Sequence, residues 1–207
     1  MLTNRATSQK ASRWSNLGFT FEERQIEVSH YLCLSFRVIS RNLAVPPLES
    51  GHQSLIYPQL KPGCLEFELL ESSAMGDLDH VSSVIQECRE LGVKFALDDF
   101  GIGYSTMTCL KKLPVAHLKI DQNFVHEMLD SPNDLAIVSS MVGLAGTFGI
   151  EVIAEGVETL EEGVALLELG CELAQGYAIA RPMPAAELPL WVRNWQPHAL
   201  WREVALS

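Results

Sequence analysis

Short apolar runs alternate with longer segments of helical apolar spacing from residue 65 to residue 195. The runs rich in Leu, Val, Ile and Phe predict strands, and apolar residues spaced at i, i+3, i+4 and i+7 predict the helices between them. The predicted strands are Leu65–Leu70 and residues 93–97, 115–120, 150–154 and 173–175. The predicted helices cover residues 78–91, 104–113, 132–148, 160–169 and 185–195. This repeated alternation predicts a parallel sheet with helices packed on it.

Local signals define the ends of two of these helices. Ser131 is a good N-cap with Pro132 at the first helical position, and Gly149 is expected to end that helix. Thr159 and Glu162 have the spacing of a capping box, in which each residue bonds the other's backbone. We therefore expect helices that begin at residues 132 and 160.

Polar residues recur at the carboxyl ends of the predicted strands, and this recurrence favours a barrel over an open sheet. The residues are Glu68, Asp98, Asp99, Lys119, Glu155 and Gln175. A (β/α) barrel brings these strand ends into one ring, whereas an open sheet spreads them along an edge. Because a full barrel takes about 250 residues, the sequence predicts an α/β, TIM-type (β/α) barrel that is incomplete at its N-terminal end.

The N-terminal part of the chain has no clean hydrophobic period. Residues 31–39 are the one strand predicted there, and Pro46, Pro47, Pro58 and Pro62 interrupt the pattern that follows. We therefore divide the chain into an irregular or degenerate N-terminal region (residues 1–60), a barrel domain (61–197) and a C-terminal tail (198–207).

Composition and charge exclude several classes of partner. The net charge of −11, without a stripe of Lys and Arg, argues against DNA or RNA. The apolar runs fall short of the roughly 18–20 residues of a membrane span, and the first residues lack the apolar core of a signal peptide. The five cysteines form no C-x-x-C pair and are expected to be reduced, which predicts a cytoplasmic protein.

The acidic residues at the strand ends predict a metal site. Carboxylates gathered at one mouth repel one another unless cations lie between them. Glu68, Asp98, Asp99 and Glu155 would supply hard oxygen ligands, which select Mg²⁺ or Mn²⁺. Two such ions about 3.5–4 Å apart hold the attacking water and the leaving oxygen of a phosphodiester. The alternative is that Asp98 and Asp99 are solvated acids in a turn.

Two further polar residues fit the same chemistry. Lys119 would place a positive charge beside a phosphate oxygen or the attacking water, and Glu155 could be a metal ligand or a general base. Gln175 could donate a hydrogen bond to a base edge or a phosphate. The alternative for Lys119 is a purely structural role, in which it neutralises Asp121.

Five ordered motifs resemble the EAL domain family. The motifs are ELLES (residues 68–72), LDDFGIGYS (97–105), LKID (118–121), AEGVET (154–159) and QGYAIARPMP (175–184). Members of that family are bacterial phosphodiesterases that open cyclic di-GMP to linear pGpG with Mg²⁺ or Mn²⁺ on a barrel. The resemblance covers residues 64–195.

The resemblance implies roles for individual residues. Glu68, Asp98 and Asp99 correspond to metal ligands, Lys119 to the catalytic lysine, Glu155 to the essential carboxylate and Gln175 to the active-site glutamine. The supporting and loop residues implied in this way are Glu71, Phe100, Gly101, Gly103, Asp121 and Glu158. The loop 100–105 is linked in the family to dimerisation, so a homodimer is also expected.

The sequence departs from the family near its N-terminus. The Glu-Ala-Leu tripeptide that names the family is absent, and so is its Arg- and Trp-containing continuation. The family's Asn in an N-x-S-x-R context is missing as well, because Val38 stands at that position in RVISRNL (residues 37–43) and Asn42 is no convincing substitute. Loss of a Glu and an Asn ligand predicts weak metal binding and weak or absent hydrolysis.

Three functions follow from these observations. The first is a cyclic di-GMP phosphodiesterase with weakened activity. The second is a non-catalytic module that binds cyclic di-GMP or a protein partner, and the third is a non-functional gene fragment. Hydrolysis with Mn²⁺, binding without product, and failure to fold cooperatively would distinguish them.

Overall fold

The fold is an eight-stranded sheet with helices packed on one of its faces. The structure is a computed structural model that describes residues 20–22, 26–28, 32–39, 63, 65–74, 77–101, 106–184 and 187–205. The strands are β1 (Thr20–Glu22), β2 (Ile26–Val28), β3 (Leu32–Ile39), β4 (Leu65–Leu70), β5 (Val93–Phe100), β6 (His117–Ile120), β7 (Glu151–Ala154) and β8 (Leu173–Ala174). The strand predicted at residues 31–39 is thereby confirmed as β3, and β1 and β2 precede it in a region predicted to be irregular.

Strand order agrees with a (β/α) barrel that is incomplete. The sheet runs β1-β3-β4-β5-β6-β7-β8, with β2 on the side of β3. The strands from β3 to β8 are parallel, while β1 and β2 pair with β3 in antiparallel fashion. Within the described residues the path ends at β1 and β8 without a pairing that joins them. The predicted fold class is therefore confirmed.

Eight helices are described. They are α1 (Glu71–Ala74), α2 (Leu78–Glu90), α3 (Thr106–Lys112), α4 (Gln122–Glu127), α5 (Pro132–Phe148), α6 (Leu160–Glu168), α7 (Leu188–Asn194) and α8 (Ala199–Ala205). Helix α5 begins at Pro132 behind the Ser131 N-cap, and Gly149 ends it with a φ of 68°. The capping box at the start of α6 is present with both hydrogen bonds. These local predictions are confirmed.

Three of the described helices were not predicted, namely the four-residue α1, α4 and α8. Helix α4 begins after Asp121, whose side chain accepts a hydrogen bond from the backbone N–H of Asn123. Helix α8 lies in the segment predicted to be a tail, and it packs on α6. Trp201 donates its indole N–H to the Leu160 carbonyl at 2.9 Å, and its ring covers Gly163. Helix α8 is short, so this tertiary contact rather than its own periodicity stabilises it.

The sheet has one polar and one apolar face, because side chains alternate along each strand. The outer face carries Phe67, Leu97 and Leu118, and it forms the core together with helix residues such as Ile85 and Val138. The inner face is the one that carries the polar residues. Strand pairing aligns Glu68 with Ala96, Ala96 with His117, and Lys119 with Ile153. The inner face, and not the apolar core, therefore holds the candidate chemistry.

Candidate functional site

Lys119 lies at the centre of the site, at the carboxyl end of the inner face. Its Nζ is 2.6 Å from Glu68 Oε1, 2.5 Å from Glu155 Oε1 and 3.6 Å from Asp98 Oδ1. The side chain of Lys119 is 3% exposed, and that of Asp98 is fully buried. The structure does not show the alternative in which Lys119 neutralises Asp121, because Asp121 caps α4.

The carboxylates keep Lys119 charged. Burial by itself lowers the pKa of a lysine, but the charges of Glu155, Asp98 and Glu68 outweigh burial and raise the pKa of Lys119 above its ordinary value. The site therefore contains a permanent ammonium, which can stabilise negative charge but cannot accept a proton from water. Burial raises the pKa of the Glu155 carboxyl, and the neighbouring ammonium of Lys119 partly opposes that rise.

A backbone irregularity brings the two adjacent aspartates together. Neighbouring residues in a regular strand point to opposite faces of the sheet. Strand β5 was predicted to end at residue 97, but it continues to Phe100, and its pairing with β6 shifts register between Leu97 and Phe100. Asp99 has a φ of 54°, which is rare for a non-glycine residue. This bulge-like turn redirects one side chain, as bulges commonly do beside functional sites.

Asp98, Asp99 and Glu155 form a group of oxygens that could hold one cation. One carboxylate oxygen from each lies within 4.8 Å of the others. Among the described residues, this is the one set of three or more potential metal ligands with such spacing. Glu68 was also predicted to be a metal ligand, and its Oε1 contacts Lys119 at 2.6 Å, as Glu155 Oε1 does at 2.5 Å. The ligand role of Glu68 stays a prediction.

Gln175 extends the site from the last strand. Its Nε2 donates to Glu155 Oε1 at 2.7 Å, and its backbone N–H donates to the Ala154 carbonyl. Its Oε1 is buried, and no described residue hydrogen-bonds to it. A buried carbonyl oxygen of this kind is costly unless a ligand or water satisfies it. Gln175 therefore offers one oxygen acceptor beside the carboxylate group.

The predicted supporting residues have different environments. Glu71 is buried at the first position of α1, and its charge contributes to the raised pKa of Cys109, after the larger effect of burial. Phe100 is fully buried in the core. Gly101 has a φ of 100°, and a Cβ there would overlap Met141. Gly103 lies outside the described residues.

The last two predicted residues lie at helix N-termini, where Asp121 is the N-cap of α4 and Glu158 directly precedes Thr159, the N-cap of α6. Asp121 accepts hydrogen bonds from the backbone and side-chain nitrogens of Asn123 at 2.9 and 2.6 Å. Glu158 has an exposed side chain, and its backbone N–H donates to Glu162 Oε2 at 2.7 Å. Both residues shape the loops that follow β6 and β7 rather than contact Lys119.

Sequence reasoning missed the residues that fix the loop carrying Glu155. His126 donates from Nε2 to the Gly156 carbonyl at 2.7 Å. Gly156 has a φ of 73°, and a Cβ there would stand 2.5 Å from the Cβ of Gln122. The Gly in AEGVET carried this signal, since a positive φ and a close approach both require glycine.

Sequence reasoning also missed two buried polar residues and a second strand match. Glu66 and His117 are buried on the inner face, although strand positions beside a core usually hold apolar residues.

In β3, residues 33–37 (CLSFR) fit the N-x-S-x-R pattern with both Ser35 and Arg37 present. The first position is then Cys33 rather than Val38, so the Asn is absent in either alignment.

Cys88, Cys109 and Cys171 are free cysteines among the side chains that the structure describes. Burial raises the pKa of Cys88 and of Cys171 to about 11, so neither is a reactive thiolate near neutral pH.

Among the described helices, none has the length and apolar character that a membrane crossing requires.

Comparisons with known proteins agree with the fold and the motifs. The family profile described as the EAL domain matches residues 10–182. The bifunctional diguanylate cyclase/cyclic di-GMP phosphodiesterase MucR of Pseudomonas aeruginosa is 40% identical over 141 residues, which are 68% of this chain and 21% of that protein. The chain thus spans about a fifth of this curated relative.

Solved structures give the same result. The EAL domain of Mycobacterium smegmatis DcpA superposes with a TM-score of 0.70 at 32% identity, over 94% of this chain and 84% of that one. The phosphodiesterase PaMucR, in a structure described as a c-di-GMP complex, gives a TM-score of 0.59 at 43% identity, over 62% of this chain and 52% of that one. The family match covers most of the sequence, and this chain therefore belongs to the EAL domain family.

Proposed function

We propose that this chain acts on cyclic di-GMP as a phosphodiesterase domain, opening it to linear pGpG, with weakened turnover. The observation that carries the proposal is the position of Lys119, whose buried ammonium contacts Glu68 and Glu155 beside the Asp98–Asp99–Glu155 group. A fixed cation next to a set of metal-binding oxygens suits a phosphodiester, whose charge grows on the phosphate oxygens during hydrolysis.

Each residue has a proposed role that its environment supports. Lys119 would bind a phosphate oxygen or orient the attacking water, because its raised pKa keeps it charged. Glu155 would be either a ligand of the cation or the general base that accepts a proton from that water; burial, which raises its pKa, supports the second role. Gln175 would hold Glu155 in place through its Nε2 and offer its buried Oε1 to the ligand.

The residues fit Mg²⁺ or Mn²⁺ at one position. Asp98, Asp99 and Glu155 supply the hard oxygen ligands that these ions prefer. A bound ion would supply Lewis-acid stabilisation of the phosphate and would lower the pKa of a bound water. The described residues provide one such group. The absence of the Glu-Ala-Leu tripeptide and of the family's Asn from the sequence supports the proposed weak turnover.

A second candidate function rests on the same feature. A site with one group of carboxylates and a fixed ammonium can bind a cyclic dinucleotide without cleaving it, so a non-catalytic binding module is the alternative. We include a homodimer and a bacterial cytoplasmic location in the proposal, and the free thiols of Cys88, Cys109 and Cys171 suit a reducing compartment.

The test is hydrolysis of cyclic di-GMP by the purified chain with Mn²⁺, followed by separation of the nucleotides. We expect slow formation of pGpG that Asp98→Asn reduces at least about 100-fold, as loss of one electrostatic group in an active site commonly does. The matched control is Asp130→Asn, at an exposed position, which should keep the activity. Tight binding of cyclic di-GMP without product would support the binding module, and the absence of both would refute the proposal.

A further inference from the structure

A second group of polar residues lies on the inner face, beneath the site. His117 Nδ1 bonds Glu66 Oε2, and His117 Nε2 lies 3.2 Å from Glu151 Oε2. Glu66 and His117 are buried, and the side chain of Glu151 is largely exposed. A ring with a carboxylate against each nitrogen donates from both when it is protonated. We call these three residues the lower layer.

The lower layer repeats the arrangement of the site two residues earlier along β4 and β6. Glu66 precedes Glu68 by two residues in β4, and His117 precedes Lys119 by two residues in β6. Residues two apart in a strand lie on the same face, about 7 Å apart. Each layer therefore has a nitrogen-bearing side chain from β6 that contacts a carboxylate from β4.

Ala96 explains how these contacts cross the intervening strand. Strand β5 lies between β4 and β6, and pairing aligns Ala96 with both Glu68 and His117. Ala96 is fully buried and has the smallest side chain that still faces inward, so the side chains from β4 and β6 meet above it. A larger residue at this position would separate them.

The charged groups that face His117 come from three strands. Burial by itself lowers the pKa of His117, but Glu66 and Glu151 outweigh it and the pKa is raised, while Lys94 on β5 acts in the opposite direction. Lys94 is aligned with Glu66 in the sheet and is half-buried. The lower layer thus links β4, β6 and β7; Glu68 and Lys119 lie on the first two of these strands, and Glu155 directly follows the third.

We propose that His117, held between Glu66 and Glu151, is a positioning residue. It fixes the position of the Lys119 backbone along the strand direction relative to Glu68 and Glu155. Its contacts lock β6 against β4 and β7 directly below the site. Lys119 has a long side chain that would otherwise sample several rotamers. The lower layer limits the backbone from which that side chain extends, and in this way it sets the 2.5–2.6 Å contacts of the ammonium.

The direct test is the ¹H–¹⁵N signal of the Lys119 ammonium in the full chain. We expect slow solvent exchange in the wild type, because this ammonium is buried and bonded to carboxylates, and the signal is assigned by its loss in Lys119→Met. The single variant His117→Leu leaves Glu66 buried without its partner and can fail to fold. The double variant Glu66→Leu/His117→Leu replaces the pair by apolar residues, which buried sites commonly tolerate.

In the folded double variant, we expect the Lys119 signal to shift or to disappear through faster exchange. His117→Gln keeps hydrogen-bonding groups and should restore much of the signal. The control His80→Leu, at an exposed position of α2, should leave it unchanged. An unchanged Lys119 signal in the double variant would overturn the inference, as would a loss of the signal in the control.

The effect on turnover rests on the proposed function and is measured separately. The double variant should lower kcat for cyclic di-GMP by about 10- to 100-fold, as the loss of supporting contacts does in other sites, with little change in KM. If the Lys119 signal changes while the wild type hydrolyses nothing, the positioning inference holds and the proposed hydrolysis fails. If hydrolysis occurs and the double variant keeps both signal and kcat, the positioning inference fails alone.

Discussion

Replacement of Lys119 by Met tests the electrostatics of the site most directly. The side chain of Met has a similar volume, so the change removes the charge with little loss of packing. Glu68, Asp98 and Glu155 then remain without the ammonium that contacts each of them. Loss of one partner of a buried ion pair costs about 3–5 kcal/mol, because a buried charge is left uncompensated. We expect the free energy of unfolding to fall by that amount.

The matched control is Lys112→Met. Lys112 also bonds a carboxylate, Asp79, at 2.7 Å, but the two side chains are 43% and 85% exposed. Surface pairs of this kind contribute about 0–1 kcal/mol. The comparison therefore holds the substitution constant, while the burial and the number of carboxylate partners differ between the two sites.

The assay is urea unfolding followed by circular dichroism, with chelator and then with Mg²⁺. Lys119→Met should regain part of its stability in Mg²⁺, since an ion can neutralise the carboxylates that the ammonium has left. An ion at 100 times its Kd adds about 2.7 kcal/mol to the free energy of unfolding. Equal losses in Lys119→Met and Lys112→Met, with or without Mg²⁺, would refute the reasoning about the buried site.

Two further predictions concern packing and pH. Gly163→Val should displace helix α8, because even a Cβ at this position would stand 2.5 Å from the Trp201 ring. We expect the free energy of unfolding to fall by about 1–3 kcal/mol and the tryptophan fluorescence to shift to the red. The control Gly143→Val, at a position with open space around it, should cause no such shift. The raised pKa of His117 means that its charge stabilises the fold fully below about pH 6.5 and loses this effect as the pH rises through the folded-state pKa. Wild-type stability should thus fall over that window relative to His117→Gln, and a difference that grows with rising pH would contradict the assignment.

The parts of the fold that depend on near neighbours in sequence were predicted well. Strand β4 has the predicted bounds, and the N-cap of α5 and the capping box of α6 are present with their hydrogen bonds. These features are decided by residues three or four positions apart. Helix α8 was missed because Trp201 bonds Leu160, which is 41 positions away.

The candidate site was predicted as a set of residues but not as a set of contacts. Lys119, Glu155 and Gln175 do meet, as strand ends in a barrel should. The metal-ligand role of Glu68, predicted from its place at a strand end and implied by the resemblance, stays a prediction, and the structure adds its contact with Lys119. A contact of this kind depends on distances of a few ångströms, which no spacing in the sequence records.

The amino-acid sequence by itself determined the alternation of strands and helices, the polar strand ends and membership of the EAL domain family, because these depend on local periodicity and on ordered motifs. Only the tertiary structure decided that Lys119 pairs with Glu68 and that His117 pairs with Glu66, since each pair joins strands 51 positions apart. The left-handed backbone conformation of Asp99 was also decided only by the tertiary structure, because it accompanies a register shift between paired strands. Charges that meet across a sheet are chosen by packing, and packing is a property of the folded chain.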